Sequence, residues 1–79
     1  MSAVARYHAE RAVELLRALE AMERTLDELD DEKRLELVAA GAFPRINANM
    51  EWTARLADAH ALAAIALSAS RRRLLVFPV

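Results

Sequence analysis

The sequence predicts an all-α protein, in which an antiparallel helical hairpin with a short connecting helix assembles into a dimeric four-helix-type bundle and ends in an extended apolar tail. Hydrophobic residues make up 56% of the 79 residues, and much of that share is alanine and leucine, with one glycine and two prolines. This composition favours helix. Apolar residues also recur at alternating spacings of three and four. A single domain of this length buries a small core and is only marginally stable as a monomer. Because the chain has no cysteine to form disulfides, oligomerisation is the expected source of additional stability.

The first long helix is predicted over about residues 2–29. No helix-breaking residue interrupts this segment, and its apolar residues follow spacings of 4, 3, 4 and 3. Traced backward, the same stripe meets Ala12, His8 and Ala5. The stripe is predicted to lie in the dimer core, and its members are Leu15, Leu19, Met22, Leu26 and Leu29.

A short second helix is predicted over about residues 31–40. Five of the six residues from Asp27 to Glu32 are acidic, and acidic side chains stabilise the first turn of a helix but destabilise its last turn. A break near Asp30 is therefore expected, with Asp30 or Asp31 as the N-cap and Gly41 ending the helix. One unbroken helix to Ala40 is the alternative.

A loop over residues 41–47 and a second long helix over about 48–72 are predicted next. Pro44 disfavours helix at Phe43, and Asn47 or Asn49 can cap the helix that follows. This helix has an apolar stripe formed by Trp52, Leu56, Ala59, Ala63 and Ala66. Other apolar residues lie off the stripe, so the helix is apolar nearly all round. A second copy of the chain is expected to cover it, with a dimer core that includes Leu56, Ala59, Leu62, Ala63, Ile65 and Ala66.

Metal, cofactor and enzymatic functions are not expected. If antiparallel partners have residue numbers that sum to about 78, His8 lies near Ser70 and His60 near Ala18, so the two histidines cannot share a metal ion within one chain. One glycine leaves no glycine-rich phosphate loop. The longest apolar run, Ala61–Leu67, is too short to cross a bilayer. A cytoplasmic protein of bacterial or phage origin is the expectation.

Arg55 and His60 form an R-x4-H spacing within the stretch RLADAH. This spacing resembles the motif of HEPN-type ribonucleases over six residues of the chain. The resemblance implies that Arg55 and His60 act on RNA at a dimer interface. The competing structural prediction is that Arg55 pairs with Glu20 or Glu23 on the first helix.

The C-terminal segment 73–79 is predicted to be extended, because Pro78 biases Phe77 away from helix. It either caps the open end of the bundle or binds a partner. The predicted function is that of a small non-enzymatic regulator, adaptor or inhibitor that binds another protein. The alternative is a nucleic-acid-binding regulator that uses Arg71–Arg73. Two candidate partner-binding surfaces are the loop region, with Phe43, Arg45, Ile46, Met50 and Trp52, and the C-terminal segment, with Arg71, Arg72, Arg73, Leu74, Leu75, Phe77 and Val79.

Overall fold

A computed structural model describes residues 2–76 of the chain, with side chains for residues 2–69, as three helices. These are α1 (Ala3–Asp27), α2 (Asp31–Ala39) and α3 (Phe43–Val76). No strand occurs between residues 2 and 76, so the predicted all-α class is confirmed. None of the described helices combines the length and the apolarity that crossing a membrane requires.

Helix α1 begins and ends at local signals in the sequence. The Ser2 hydroxyl accepts a hydrogen bond of 3.1 Å from the Ala5 amide, which satisfies one of the free N–H groups of the first turn. At the other end the Arg34 guanidinium donates to the Leu26 carbonyl at 2.7 Å, so a side chain of α2 caps the end of α1. The predicted break near Asp30 is confirmed, and the alternative of one unbroken helix is wrong.

Helix α2 is held by its two caps rather than by packing. The Asp30 carboxylate accepts from the Lys33 amide at 2.8 Å, and Asp31 and Glu32 occupy the first turn. At the C-terminal end the Gly41 amide donates to the Val38 carbonyl and the Ala42 amide to the Leu37 carbonyl, both at 3.0 Å. This pair of bonds is the Schellman motif. None of the residues of α2 is buried.

The conformation of Gly41 gives a prediction about the turn between α2 and α3. Gly41 has a φ of 66°, and no atom lies within 4 Å of where a Cβ would stand. Gly41→Ala is therefore expected to cost about 1 kcal/mol of unfolding free energy through the left-handed backbone alone. Urea denaturation followed by circular dichroism measures this cost. Gly41→Asn should cost less than Gly41→Ala, because asparagine tolerates this conformation, and equal costs would contradict the assignment.

Helix α3 begins earlier and ends later than the sequence predicts. The predicted loop over 41–47 is wrong for residues 43–47, because the helix starts at Phe43 and the Ile46 amide bonds the Ala42 carbonyl at 3.0 Å. Pro44 lies in the first turn, where its missing N–H would have no acceptor within the helix. At the other end the helix continues to Val76, so the extended conformation predicted from residue 73 is wrong for 73–76. Residues 77–79 lie outside the described part.

Helices α1 and α3 pack against each other in opposite directions, in a register different from the one predicted. The contacting pairs His8–His60 and Met22–Asn49 have residue numbers that sum to 68 and 71, not to about 78. The reversal is centred earlier in the chain because α1 ends at Asp27 and α3 starts at Phe43. Both limits lie earlier in the chain than predicted, so the residue numbers of contacting pairs add up to a smaller value.

The contact between α1 and α3 is made mostly of small residues. The α1 stripe contributes to this contact in its N-terminal half, where Ala12 and Leu15 are buried, and its later members are half-buried. The α3 stripe does not form this contact: Trp52 is 61% exposed, and among the described side chains of α3 the buried ones are Thr53, Ala57 and Ala64. Large apolar residues lie all round α3, so their spacing does not select the face that packs. Alanine on the packed face allows close approach of the two backbones.

Candidate functional site

The structure brings the two histidines of the chain together. His8 on α1 and His60 on α3 lie with their Nδ1 atoms 2.8 Å apart. Both side chains are half-buried at the edge of the contact between the helices. The expectation that they lie at different levels of the bundle is wrong. It depended on the predicted register, which placed His60 ten residues away from the level of His8.

The Nδ1 atoms of the two histidines lie within hydrogen-bonding distance of each other. In a hydrogen bond of this kind one ring donates its Nδ1 proton and the other accepts it with an Nδ1 lone pair. The ring centroids are 5.0 Å apart, and the Tyr7 ring meets both imidazoles edge-on, with centroids 5.3 Å from His8 and 6.1 Å from His60. The three rings form one cluster, named here the His8–His60 cluster, near the N-terminal end of α1.

The polar residues of the predicted ribonuclease motif make separate interactions. The Arg55 guanidinium bonds the Glu51 carboxylate at 2.6 Å on the exposed side of α3, so the predicted pairing with Glu20 or Glu23 is wrong. Five residues on a helix correspond to a rotation of about 140°. His60 accordingly faces α1 and His8, while Arg55 lies on another side of α3.

The chain matches no protein-family model, and it shows no significant similarity to a functionally characterised protein or to a solved structure. Its function is therefore inferred from geometry and chemistry alone. Among the described residues, two features stand out for that purpose. One is the His8–His60 cluster, and the other is the quantity of apolar surface exposed to water.

Large apolar side chains are exposed on every helix. Four of them lie on α1, two on α2 and four on α3, and each is at least 40% exposed: Val4, Tyr7, Val13, Leu16, Leu35, Val38, Trp52, Leu62, Ile65 and Leu67. No large side chain in the described part is fully buried. The part of the chain described with side chains therefore has a contact between helices without a layer of fully buried large apolar residues.

The predicted loop surface is divided among different environments. Phe43, Ile46 and Met50 are half-buried on the first turns of α3, whereas Arg45 and Trp52 are exposed. Ile46 lines a groove of about 360 Å³ between α1 and α3, together with Ala21, Met22, Thr25, Leu26 and Asn49. Helical spacing therefore spreads the predicted surface around α3 instead of forming one patch.

The second predicted surface lies largely beyond the described side chains. The backbone at Arg71–Arg73 and at Leu74 and Leu75 continues α3, and their side chains are outside the description. Phe77 and Val79 are outside it altogether. The use of these residues in binding a protein or a nucleic acid stays a prediction.

Proposed function

We propose that this chain is a non-enzymatic protein–protein interaction module that works as a homodimer, in which each copy covers the exposed apolar face of α3 on the other. The observation that supports this most directly is the distribution of side-chain size. Four of the six buried residues in the described part are alanines, whereas Trp52, Leu62 and Ile65 on α3 are exposed to water. A second copy of the chain reverses that arrangement by burying the large residues.

The large accessible surface of the chain also supports burial against a second copy. The chain exposes 6340 Å², whereas a compact monomer of 8.8 kDa exposes about 4800 Å² by the usual scaling of surface with mass. The surplus is roughly 1500 Å². A standard interface removes about 800 Å² from each partner. The surplus is larger than the area that one partner buries in a standard interface.

The face proposed for the dimer is the uncharged stretch of α3. From Ala59 to Ala69 the sequence contains no aspartate, glutamate, lysine or arginine. Leu62 is 66% exposed and Ile65 is 65% exposed, and their spacing of three makes them neighbours on the helix surface. A helix face of three turns without charge is unusual in water but typical of the buried face in a bundle of four helices.

The test is the solution mass of a double variant, Leu62→Glu with Ile65→Glu. Light scattering should give twice 8.8 kDa for the native chain, and one chain mass for the variant, because four buried carboxylates per dimer cannot be solvated. Val38→Glu is the matched control, since Val38 is equally exposed but lies on α2, and it should leave the dimer intact.

Two outcomes would contradict the proposal. A native chain that stays monomeric at 100 µM would show that the exposed face of α3 does not bind a second copy. A double variant that remains dimeric would show that the interface lies elsewhere.

A further inference from the structure

We propose that the His8–His60 cluster binds one divalent transition-metal ion, of the class of Zn²⁺, Ni²⁺ or Cu²⁺, between α1 and α3. The ion would be held by the two Nδ1 atoms and by water at its other positions. Imidazole nitrogen is the preferred ligand of these ions among the residues of the chain. The site is built within one chain and does not depend on the proposed dimer.

The distance between the two nitrogens is close to what a shared ion requires. Two nitrogens at 2.0–2.1 Å from a tetrahedral ion lie about 3.3 Å apart, and the Nδ1 atoms are 2.8 Å apart. The two Nδ1 atoms must therefore move apart by roughly half an ångström before both can bind the ion. Small rotations of the two side chains are enough to supply it.

The proton that joins the rings can move without leaving the site. In the neutral pair one ring carries its proton on Nδ1 and the other presents a lone pair there. When the ion binds, the first ring moves its proton from Nδ1 to Nε2, and both Nδ1 lone pairs coordinate the ion. Each histidine then binds as neutral imidazole, so the neutral pair releases no net proton.

The number of protein ligands limits the affinity of the site. The described residues contain no group of three or more histidine, cysteine, aspartate or glutamate side chains placed to hold a metal ion. Two ligands supplied by different helices therefore make an exchangeable site, which joins α1 to α3 when it is loaded.

The experiment is calorimetric titration of the full chain with Zn²⁺ and Ni²⁺, with Mg²⁺ as the negative control because it prefers oxygen ligands. We expect saturation at one transition-metal ion per chain and no heat of binding with Mg²⁺. His8→Ala and His60→Ala should each weaken binding about tenfold or more, since each removes one of two ligands. Tyr7→Phe keeps the ring against both imidazoles and should bind like the native chain.

Binding by the dissociated variant, Leu62→Glu with Ile65→Glu, separates this inference from the proposed dimer. We expect that variant to bind the ion with unchanged stoichiometry, and loss of binding there would overturn a site within one chain. If the histidine variants do not fold, nitrogen NMR of the native chain decides instead. Zn²⁺ should shift the Nδ1 resonances of both histidines, and unshifted resonances at saturating Zn²⁺ would overturn the proposal.

Discussion

Leu15→Ala is expected to lower the free energy of unfolding by about 2–5 kcal/mol, the cost of removing a buried leucine and leaving a cavity. Leu15 is 9% exposed and is the largest side chain among the buried residues. Its neighbour on the N-terminal side of the stripe is Ala12, a side chain too small to fill the space. In a domain of this size such a loss approaches the whole of the stability. Urea denaturation followed by circular dichroism measures it.

Leu35→Ala is the matched control for that measurement. It makes the same change of side chain on α2, where Leu35 is 69% exposed, and should shift the free energy of unfolding by less than about 0.5 kcal/mol. Native chain and variants must be compared at one protein concentration, because a dimer gains stability with concentration. Equal costs at the two positions would mean that the contact between α1 and α3 is not the core.

Ala57→Leu is expected to destabilise the chain by about 1–3 kcal/mol through overpacking. Ala57 is 2% exposed in the middle of α3, and the register places Ala12 at the same level on α1. Two alanines at one level let the backbones approach closely. A leucine there must push the helices apart, which weakens the contact over several turns.

Ala18→Leu is the control for Ala57→Leu, because it adds the same volume at a position outside the contact between α1 and α3. Ala18 is exposed on α1, and leucine and alanine have similar helix propensities, so the change should alter stability by less than about 0.5 kcal/mol. Thermal denaturation distinguishes the two variants directly. An Ala57→Leu variant as stable as the native chain would show that the helices are not closely packed at this level.

The inner and outer faces of α3 have separate roles in these proposals. Ala57 and Ala64 face α1, His60 lies at the edge of that contact, and Leu62 and Ile65 face outward. Metal binding at His60 would therefore add a link between α1 and α3 without occupying the proposed dimer face. The variants at each face should consequently have independent effects, since they share no contact.

The sequence by itself determined the helical class, the break between α1 and α2, and the turn at Gly41. Each of these depends on signals that act within a few residues. The Asp30 carboxylate caps the helix that follows it, the acidic run opposes the helix that precedes it, and Gly41 takes a left-handed conformation that other residues resist. The N-terminal half of the α1 stripe was also predictable, because its apolar residues recur at spacings of three and four.

Only the tertiary structure decided the face of α3 that packs, the register of the two long helices and the meeting of His8 with His60. A helix that is apolar nearly all round has no single preferred face by spacing, and close packing selected alanine over the larger Trp52, Leu62 and Ile65. The register of α1 against α3 depends on where α1 ends and α3 begins. Pro44 led to the prediction of a loop where α3 in fact begins. A shift of several residues along two antiparallel helices changes every cross-helix pair, which is why the histidine pair was not predictable from their positions in the chain.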